Sequence, residues 1–365
     1  MAERTRYVNT ASTAGGDGTT NATAGANRAY ATLSEAVSGE AADLVTATDN
    51  LVIYFDGSGS IGTVGTSGEW AGYTTSTTYD IYIGPIDNDV RAGTSWDSGK
   101  TKITGGAWSN AFNIPNTVSV NVTLEGLQIS IPGTGNEICI ATSEISGTPT
   151  LNLIGNLCIA LSSKTNTNPV VSLQANHIRG DVINNIIINE STTGVRALLE
   201  TYTAGELVVY NNTLVGEVGA NATDAALSFR HSGSMARPTY IKNNILDGGS
   251  NVGYNWDLTT GPTATDANLT NDASSPDGAS FQNKTATFVS STNWALDSSD
   301  TNALGQGVNL YSDSEYAVTT DILGTTRPQG SNFDIGAHEY IIAAAGFPYH
   351  AVKKHFRMMQ ALLAM

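Results

Sequence analysis

A repeat of about 30 residues is the feature that most limits what this chain can fold into. Five segments share alternating apolar residues, then a pair of small or Asn residues, then more apolar residues. These segments are Val120–Ile129, Leu151–Ile159, Val182–Ile188, Leu207–Val215 and Tyr240–Leu246. At the second residue of each pair (Gly126, Asn156, Asn185, Asn212 and Asn244) the steps are 30, 29, 27 and 32 residues. A period that drifts in this way is typical of a coil with one constant wall and variable loops.

Each pair predicts a sharp corner between two short strands. Asn and Gly take the left-handed backbone conformation that other residues resist. Stacked coils would place each Asn about 4.8 Å from the next, so that side-chain amides could hydrogen-bond along the stack. We therefore predict an all-β fold, a single-stranded right-handed parallel β-helix. Its first coils would include the strand-like runs Leu51–Phe55, Asp80–Ile83 and Thr101–Thr104.

The predicted organisation has three parts. Residues 1–44 form an N-terminal segment with a cap helix, because Tyr30–Val37 is amphipathic with Leu33, Ala36 and Val37 on one side. Residues 45–340 form the β-helix, with irregular loops at 251–290 where the repeat fades into Thr, Asp, Ser and Pro. Residues 341–365 form a separate C-terminal tail.

Composition argues against several classes of protein. Charged residues make up 14% of the chain and the net charge is −16, which disfavours nucleic acid as a partner because phosphate binding needs clustered cations. Cys139 and Cys158 are predicted to be buried free thiols. The sequence predicts no membrane span, no signal peptide and no cofactor, and it contains no spacing typical of a metal site.

The chain resembles the right-handed parallel β-helix proteins of pectate-lyase-like fold, particularly those encoded by phages and prophages. Three features carry the resemblance. Residues 6–36 are similar to the segment that precedes the cap helix in such proteins, the Asn-pair coils follow, and Asp321–Tyr340 looks like their closing strand pair. In that last segment we expect Arg327 and Asp334 to pair and hold the final strand.

The resemblance implies a structural protein of a phage virion: a capsid decoration, a head appendage, or a tail fibre or spike. Its expected location is the virion, and the expected assembly is a homotrimer whose body projects outward. A host surface polysaccharide is a further expected partner. The alternative is a polysaccharide depolymerase, either a lyase or a glycoside hydrolase, that acts on a bacterial surface glycan.

Three residues are weak candidates for catalysis. Glu190 and Glu217 each lie five residues past the second Asn of a pair, so they should stack on adjacent coils. Retaining glycosidases need two carboxyl groups about 5 to 5.5 Å apart, although a solvated acidic rim would give the same pattern. His231, in the loop Arg230–Arg237, could serve a lyase as general base, or it could be an exposed loop residue.

The tail departs from the composition of the body. Residues 341–365 carry three cations and no acid. The first 340 residues therefore have a net charge of −19, whereas the whole chain has −16. A stripe of apolar residues at helical spacing predicts a basic amphipathic helix that docks to another virion protein. The residues expected at this interface are Phe347, Val352, Lys353, Lys354, Phe356, Arg357, Met359 and Leu363. The alternatives are a helix that folds back as an end cap and a short helix that lies on a membrane surface.

Overall fold

The computed structural model describes most of the chain up to residue 342. The described residues are 2–342, except 67, 77, 90, 106–109, 116–119, 133–136, 143–149, 164, 166, 175–178, 202–205, 231–237 and 258–260. His231 and every residue predicted for the docking tail therefore lie outside the described residues.

Three parallel sheets wind into one right-handed β-helix, and this confirms the predicted fold. Sheet 1 contains Ala2–Asn9, Asp49–Asp56, Ile81–Pro85, Val122–Glu125, Thr150–Ile154, Arg179–Ile183, Glu206–Tyr210, Thr239–Lys242 and Ala264–Asp266. Sheet 2 contains Lys102–Thr104, Gln128–Ile131, Leu157–Ala160, Ile186–Asn189, Thr213–Gly216, Ile245–Asp247 and Leu269–Thr270. Sheet 3 contains Phe112–Ile114, Ile140–Thr142, Val171–Leu173, Ala197–Thr201, Ala225–Arg230 and Tyr254–Asp257.

The remaining elements are short. Helices span Leu33–Gly39 and Leu44–Ala47, and an antiparallel hairpin pairs Phe288–Ser290 with Asn293–Leu296. Thr32 caps the first helix by accepting a hydrogen bond from the Glu35 backbone N–H, and Leu33, Ala36 and Val37 are buried on the predicted side. Within the described part of the chain, no helix is long and apolar enough to cross a membrane.

The interior is filled by columns of aliphatic side chains in register. Along sheet 1, strand pairing aligns seven inward residues that belong to the main core. They are Ile53, Ile83, Leu124, Leu153, Val182, Val209 and Ile241. Cys139 and Cys158 lie in the same core as free thiols, as predicted.

At each corner between sheets 1 and 2, the two residues of the pair have different structural roles. The first residue takes the left-handed conformation, as at Asn184 (φ 56°), Asn211 (φ 55°) and Asn243 (φ 57°). The second residue builds a ladder of side-chain amides, in which each Nδ2 donates to the Oδ1 one coil further along. The rungs are Asn156 to Asn185 (3.1 Å), Asn185 to Asn212 (3.1 Å), Asn212 to Asn244 (3.0 Å) and Asn244 to Asn268 (2.8 Å).

The register corrects one position of the predicted repeat. Gly126 (φ 65°) aligns with the first residues of the pairs rather than the second. Leu127 occupies the ladder position and donates its backbone N–H to Oδ1 of Asn156 at 3.0 Å. At the other end, Nδ2 of Asn268 donates to the carboxylate of Asp277 at 2.8 Å. The ladder therefore extends one coil beyond the sequence repeat.

The β-helix begins earlier and ends differently than predicted. Ala2–Asn9 pairs in parallel with Asp49–Asp56, so the coil already includes the N-terminal segment. The region 251–290, predicted as irregular loops, contributes Tyr254–Asp257, Ala264–Asp266 and Leu269–Thr270 to the three parallel sheets. Beyond Thr270, the described residues contain no further strand of these sheets.

Residues 301–342 form a segment that we call the strap, which runs over the outside of the corner. Asp321–Tyr340, predicted as a closing strand pair, contains no strand. The first-position Asn side chains hold the strap: Nδ2 of Asn184 donates to the Thr320 carbonyl at 2.8 Å, and Nδ2 of Asn243 donates to the Val308 carbonyl at 2.8 Å. In the three Asn–Asn pairs, the second residue thus binds the next coil and the first binds the strap.

Arg327 anchors the strap from inside. Its guanidinium is fully buried and forms a salt bridge with Glu339 at 3.2 Å. It also donates to the carbonyls of Asp334 (3.0 Å) and Gly336 (2.8 Å). The structure thus replaces the expected Arg327–Asp334 ion pair, because the Asp334 carboxylate accepts instead from the backbone N–H groups of Gly305 and Tyr340.

Candidate functional site

Sheet 1 has an outer surface that the strap covers unevenly. Towards the C-terminal coils, Leu310, Val318 and Phe333 of the strap pack on Ile183 and Tyr210. The outward residues of the first five strands lie outside this cluster. We call six of them the tyrosine face: Tyr7, Tyr54, Tyr82, Thr123, Glu125 and Asn152. All six are partly buried.

Three aromatic rings step along the first three strands. Tyr7 and Tyr54 are register partners with ring centroids 6.1 Å apart, and Tyr54 and Tyr82 follow at 6.3 Å. Tyr82 reaches this line because position 84 is Gly. A Cβ at Gly84 would lie 2.2 Å from Oη and 2.4 Å from Cζ of Tyr82, so any larger residue would displace the ring.

The aromatic line ends at a charged group. Tyr82 Oη donates to Oε2 of Glu125 at 2.9 Å, and Glu125 also accepts from the guanidinium of Arg91. Burial, followed by the negative charge of Glu125, raises the pKa of Tyr82, which is therefore a neutral donor at physiological pH. Arg91 crosses the corner over Gly126 and Gly155, where a Cβ would lie 3.0 Å and 3.2 Å from its side chain.

Beyond Glu125 the surface becomes polar. Asn152 pairs in register with Thr123 on one side and Asp181 on the other, and its Nδ2 donates to Thr123 Oγ1 at 3.1 Å. Its Oδ1 has no hydrogen-bond partner among the described residues. Burial raises the pKa of Asp181, although Arg179 contacts its carboxylate at 2.9 Å and opposes that shift.

The structure places Glu190 and Glu217 on adjacent coils, directly after the register partners Asn189 and Gly216. Glu190 is exposed, and partial burial raises the pKa of its carboxyl group. Glu217 is held by the next coil, since it accepts from the Ser250 hydroxyl, the Ser250 N–H (3.2 Å) and Asn251 Nδ2 (3.1 Å). A catalytic role for either residue stays a prediction.

Arg230, which directly precedes His231 in the chain, already has partners. Arg230 contacts Asp224 at 2.7 Å and Glu200 at 3.4 Å, and Glu200 is fully buried. Arg196 contacts the same Glu200 at 2.6 Å. This network is therefore balanced in charge. Among the described residues, no group of three His, Cys, Asp or Glu side chains could hold a metal ion.

Comparison with known proteins adds little to these observations. No family model matches the chain, and no curated protein matches it. Among solved structures the chain is similar to pectate lyase Pel9A, with 13% sequence identity and a TM-score of 0.30 over 93% of this chain and 97% of that chain. At this overlap, the likeness carries no argument about activity or substrate.

Proposed function

We propose that this protein is a rigid glycan-binding β-helix, and that the tyrosine face binds a polysaccharide. The observation that carries the proposal is the line of partly exposed rings at Tyr7, Tyr54 and Tyr82, with centroid spacings of 6.1 and 6.3 Å. Tyrosine offers an apolar ring and a polar hydroxyl. Those two properties complement the C–H faces and hydroxyl rims of sugar rings.

The scaffold supports this use of the rings. The first two tyrosines are register partners on neighbouring strands, so their separation is fixed by backbone hydrogen bonds rather than by flexible loops. A preformed surface loses little conformational freedom when a ligand binds, and this leaves more of the contact energy for affinity. A stack of coils can also contact several sugar units of one polymer at once.

Binding to a panel of polysaccharides by affinity electrophoresis and calorimetry tests the proposal. We expect Tyr54→Ala to raise Kd by about tenfold, because the loss of one buried ring contact costs about 1.5 kcal/mol. Gly84→Ala should have a similar effect while keeping all three tyrosines. Tyr311→Ala is the matched control, because this tyrosine of the strap is 53% exposed. Equal binding by Tyr54→Ala and the control would contradict the proposal.

Cleavage is measured in the same samples through the release of reducing ends. Turnover that Glu190→Gln or Glu217→Gln abolishes would establish the depolymerase alternative. Binding without turnover would leave the protein as a glycan receptor.

The setting on a phage particle is the second part of the proposal. It is supported by the sequence resemblance and by the basic, amphipathic pattern of residues 347–365. Deletion of residues 347–365 should leave the β-helix folded and glycan binding unchanged, while incorporation into particles is lost. A truncated protein that unfolds yet still incorporates would show that the tail is an end cap.

A further inference from the structure

The arginines that border the tyrosine face are all paired with carboxylates. Arg91 is bound to Glu125. Arg179 contacts Asp181 at 2.9 Å and Glu206 at 2.7 Å. At the N-terminal edge, the ion pairs are Arg4 with Asp49 (3.6 Å) and Arg6 with Glu40 (2.6 Å). No bordering arginine is left to receive a negative ligand.

The charged side chains at the polar end of the face are carboxylates that are already paired with arginines. Glu125 and Asp181 supply these carboxylate oxygens, each already bound to a guanidinium on one side. Carboxylate oxygens and tyrosine hydroxyls can accept hydrogen bonds from the hydroxyl groups that every neutral sugar supplies. The carboxylate of a uronic acid is itself an acceptor and would meet these carboxylates without a hydrogen between them.

The net charge of the first 340 residues also disfavours the binding of a negatively charged polymer. The first 340 residues carry −19, since the three cations of residues 341–365 bring the total to −16. A field of this sign lowers the local concentration of a polyanion and slows its association. Both contact chemistry and long-range charge therefore disfavour an acidic polymer.

We propose that the tyrosine face selects uncharged polysaccharides and excludes polyuronates; this inference rests on the proposed glycan-binding function. The face supplies aromatic rings for the sugar faces and hydroxyl and carboxylate oxygens for the sugar hydroxyls, and the described arginines that border it are all paired with carboxylates.

The test compares one polymer in two charge states. A neutral polysaccharide that binds is carboxymethylated, and both forms are measured by calorimetry together with dextran, galactomannan, polygalacturonate and alginate. We expect the carboxymethylated form to bind at least about tenfold more weakly at low salt. The difference should shrink at high salt, because screening weakens charge repulsion.

The variant Glu125→Gln distinguishes the effect of a charge on the tyrosine face from the effect of the net charge of the protein. It leaves Arg91 without its carboxylate, so affinity for the carboxymethylated polymer should rise relative to the neutral one. Asp297→Asn removes one negative charge from the loop after the hairpin and should not change that ratio. A wild-type protein that prefers the charged polymers would overturn the inference while leaving glycan binding intact. Absence of binding to every polymer would overturn glycan binding itself, and with it this inference.

Discussion

The side-chain amide of Asn212 donates from Nδ2 to Oδ1 of Asn244 across 3.0 Å, and both residues are fully buried. The same Nδ2 donates to the Val182 carbonyl at 2.7 Å, while its Oδ1 accepts from the Asn185 backbone N–H at 2.9 Å. One side chain thus ties together three coils. Because all donors in the ladder point the same way, the final donor at Asn268 meets the carboxylate of Asp277.

Removal of one side-chain amide from the ladder should lower the free energy of unfolding. Asn212→Ala leaves the N–H of Asn185 and the carbonyl of Val182 without their partners in the interior. At about 1 to 3 kcal/mol for each stranded group, we expect a loss of about 2 to 5 kcal/mol in the free energy of unfolding. Urea denaturation followed by circular dichroism measures this loss. Asn27→Ala, at an exposed position, should change the midpoint little, and equal effects of the two variants would refute the importance of the ladder.

The corner residues predict a difference between two substitutions at one site. Asn243 has φ 57° and binds Val308 of the strap through both its Nδ2 and its Oδ1, each at 2.8 Å. Glycine and alanine both remove these bonds, but alanine also resists the left-handed conformation. Asn243→Ala should therefore be less stable than Asn243→Gly by about 1 to 2 kcal/mol. Equal unfolding midpoints would show that backbone conformation contributes nothing at this corner.

The buried ion pair of the strap predicts strong dependence on both partners. Arg327→Met leaves the Glu339 carboxylate buried without its cation, and breaking such a pair costs about 3 to 5 kcal/mol. The double variant Arg327→Met with Glu339→Gln should recover part of that loss, because it removes the uncompensated charge. Chemical denaturation of the three proteins checks both expectations. A double variant less stable than the single one would contradict this explanation.

His338 predicts how stability depends on pH. Burial disfavours the imidazolium and lowers the pKa of His338 from 6.5, and Nδ1 accepts from the Leu296 N–H at 3.2 Å. Below pH 6.5 the unfolded chain binds this proton more readily than the native protein. Stability is thus complete above that pH and falls as pH decreases towards the lowered native pKa.

The control for this prediction is His338→Asn, which keeps an acceptor near Nδ1 and does not titrate. We expect the urea midpoint of the wild type to fall more steeply than that of the variant between about pH 7.5 and about pH 5.5. The difference between the two proteins isolates His338 from carboxyl groups with raised pKa, such as Asp334 and Glu339, which act in the opposite direction. Parallel pH profiles would rule out His338 as the cause.

The sequence predicts the repeating part of the fold well, because the corner chemistry is local. At these corners, a residue in the left-handed conformation is followed by a residue with a buried side-chain amide. The resulting Asn–Asn pair is visible in the sequence and identifies the corners at Asn184, Asn211 and Asn243. The coil containing Asn268 escapes the pattern because the step from Asn244 shrinks to 24 residues and Ala267 replaces the first Asn.

The strap and the tyrosine face have weaker signatures in the sequence. The strap is held through its own backbone carbonyl groups, which any residue can supply, and the residues that make these contacts do not recur at a fixed period. The sequence contains one sign that a segment covers the strands, at Ile186–Ile188. A continuous apolar run of this kind indicates that both faces of the strand are buried. The tyrosine face depends on Gly84, which lets Tyr82 lie beside Tyr54 although these two residues are not register partners.

The strap also sets a constraint on the order in which the molecule can assemble. Its hydrogen bonds join Asn184 to Thr320 and Asn243 to Val308, across 136 and 65 residues of sequence. During synthesis the coils emerge before the strap. Until the strap docks, the apolar patches around Ile183 and Ile186 are exposed to solvent. Contacts between such distant residues form slowly, and exposed apolar surface favours aggregation of incomplete chains. The interval between the last coil and the docking of the strap is therefore the period in which a nascent chain of this protein is most vulnerable.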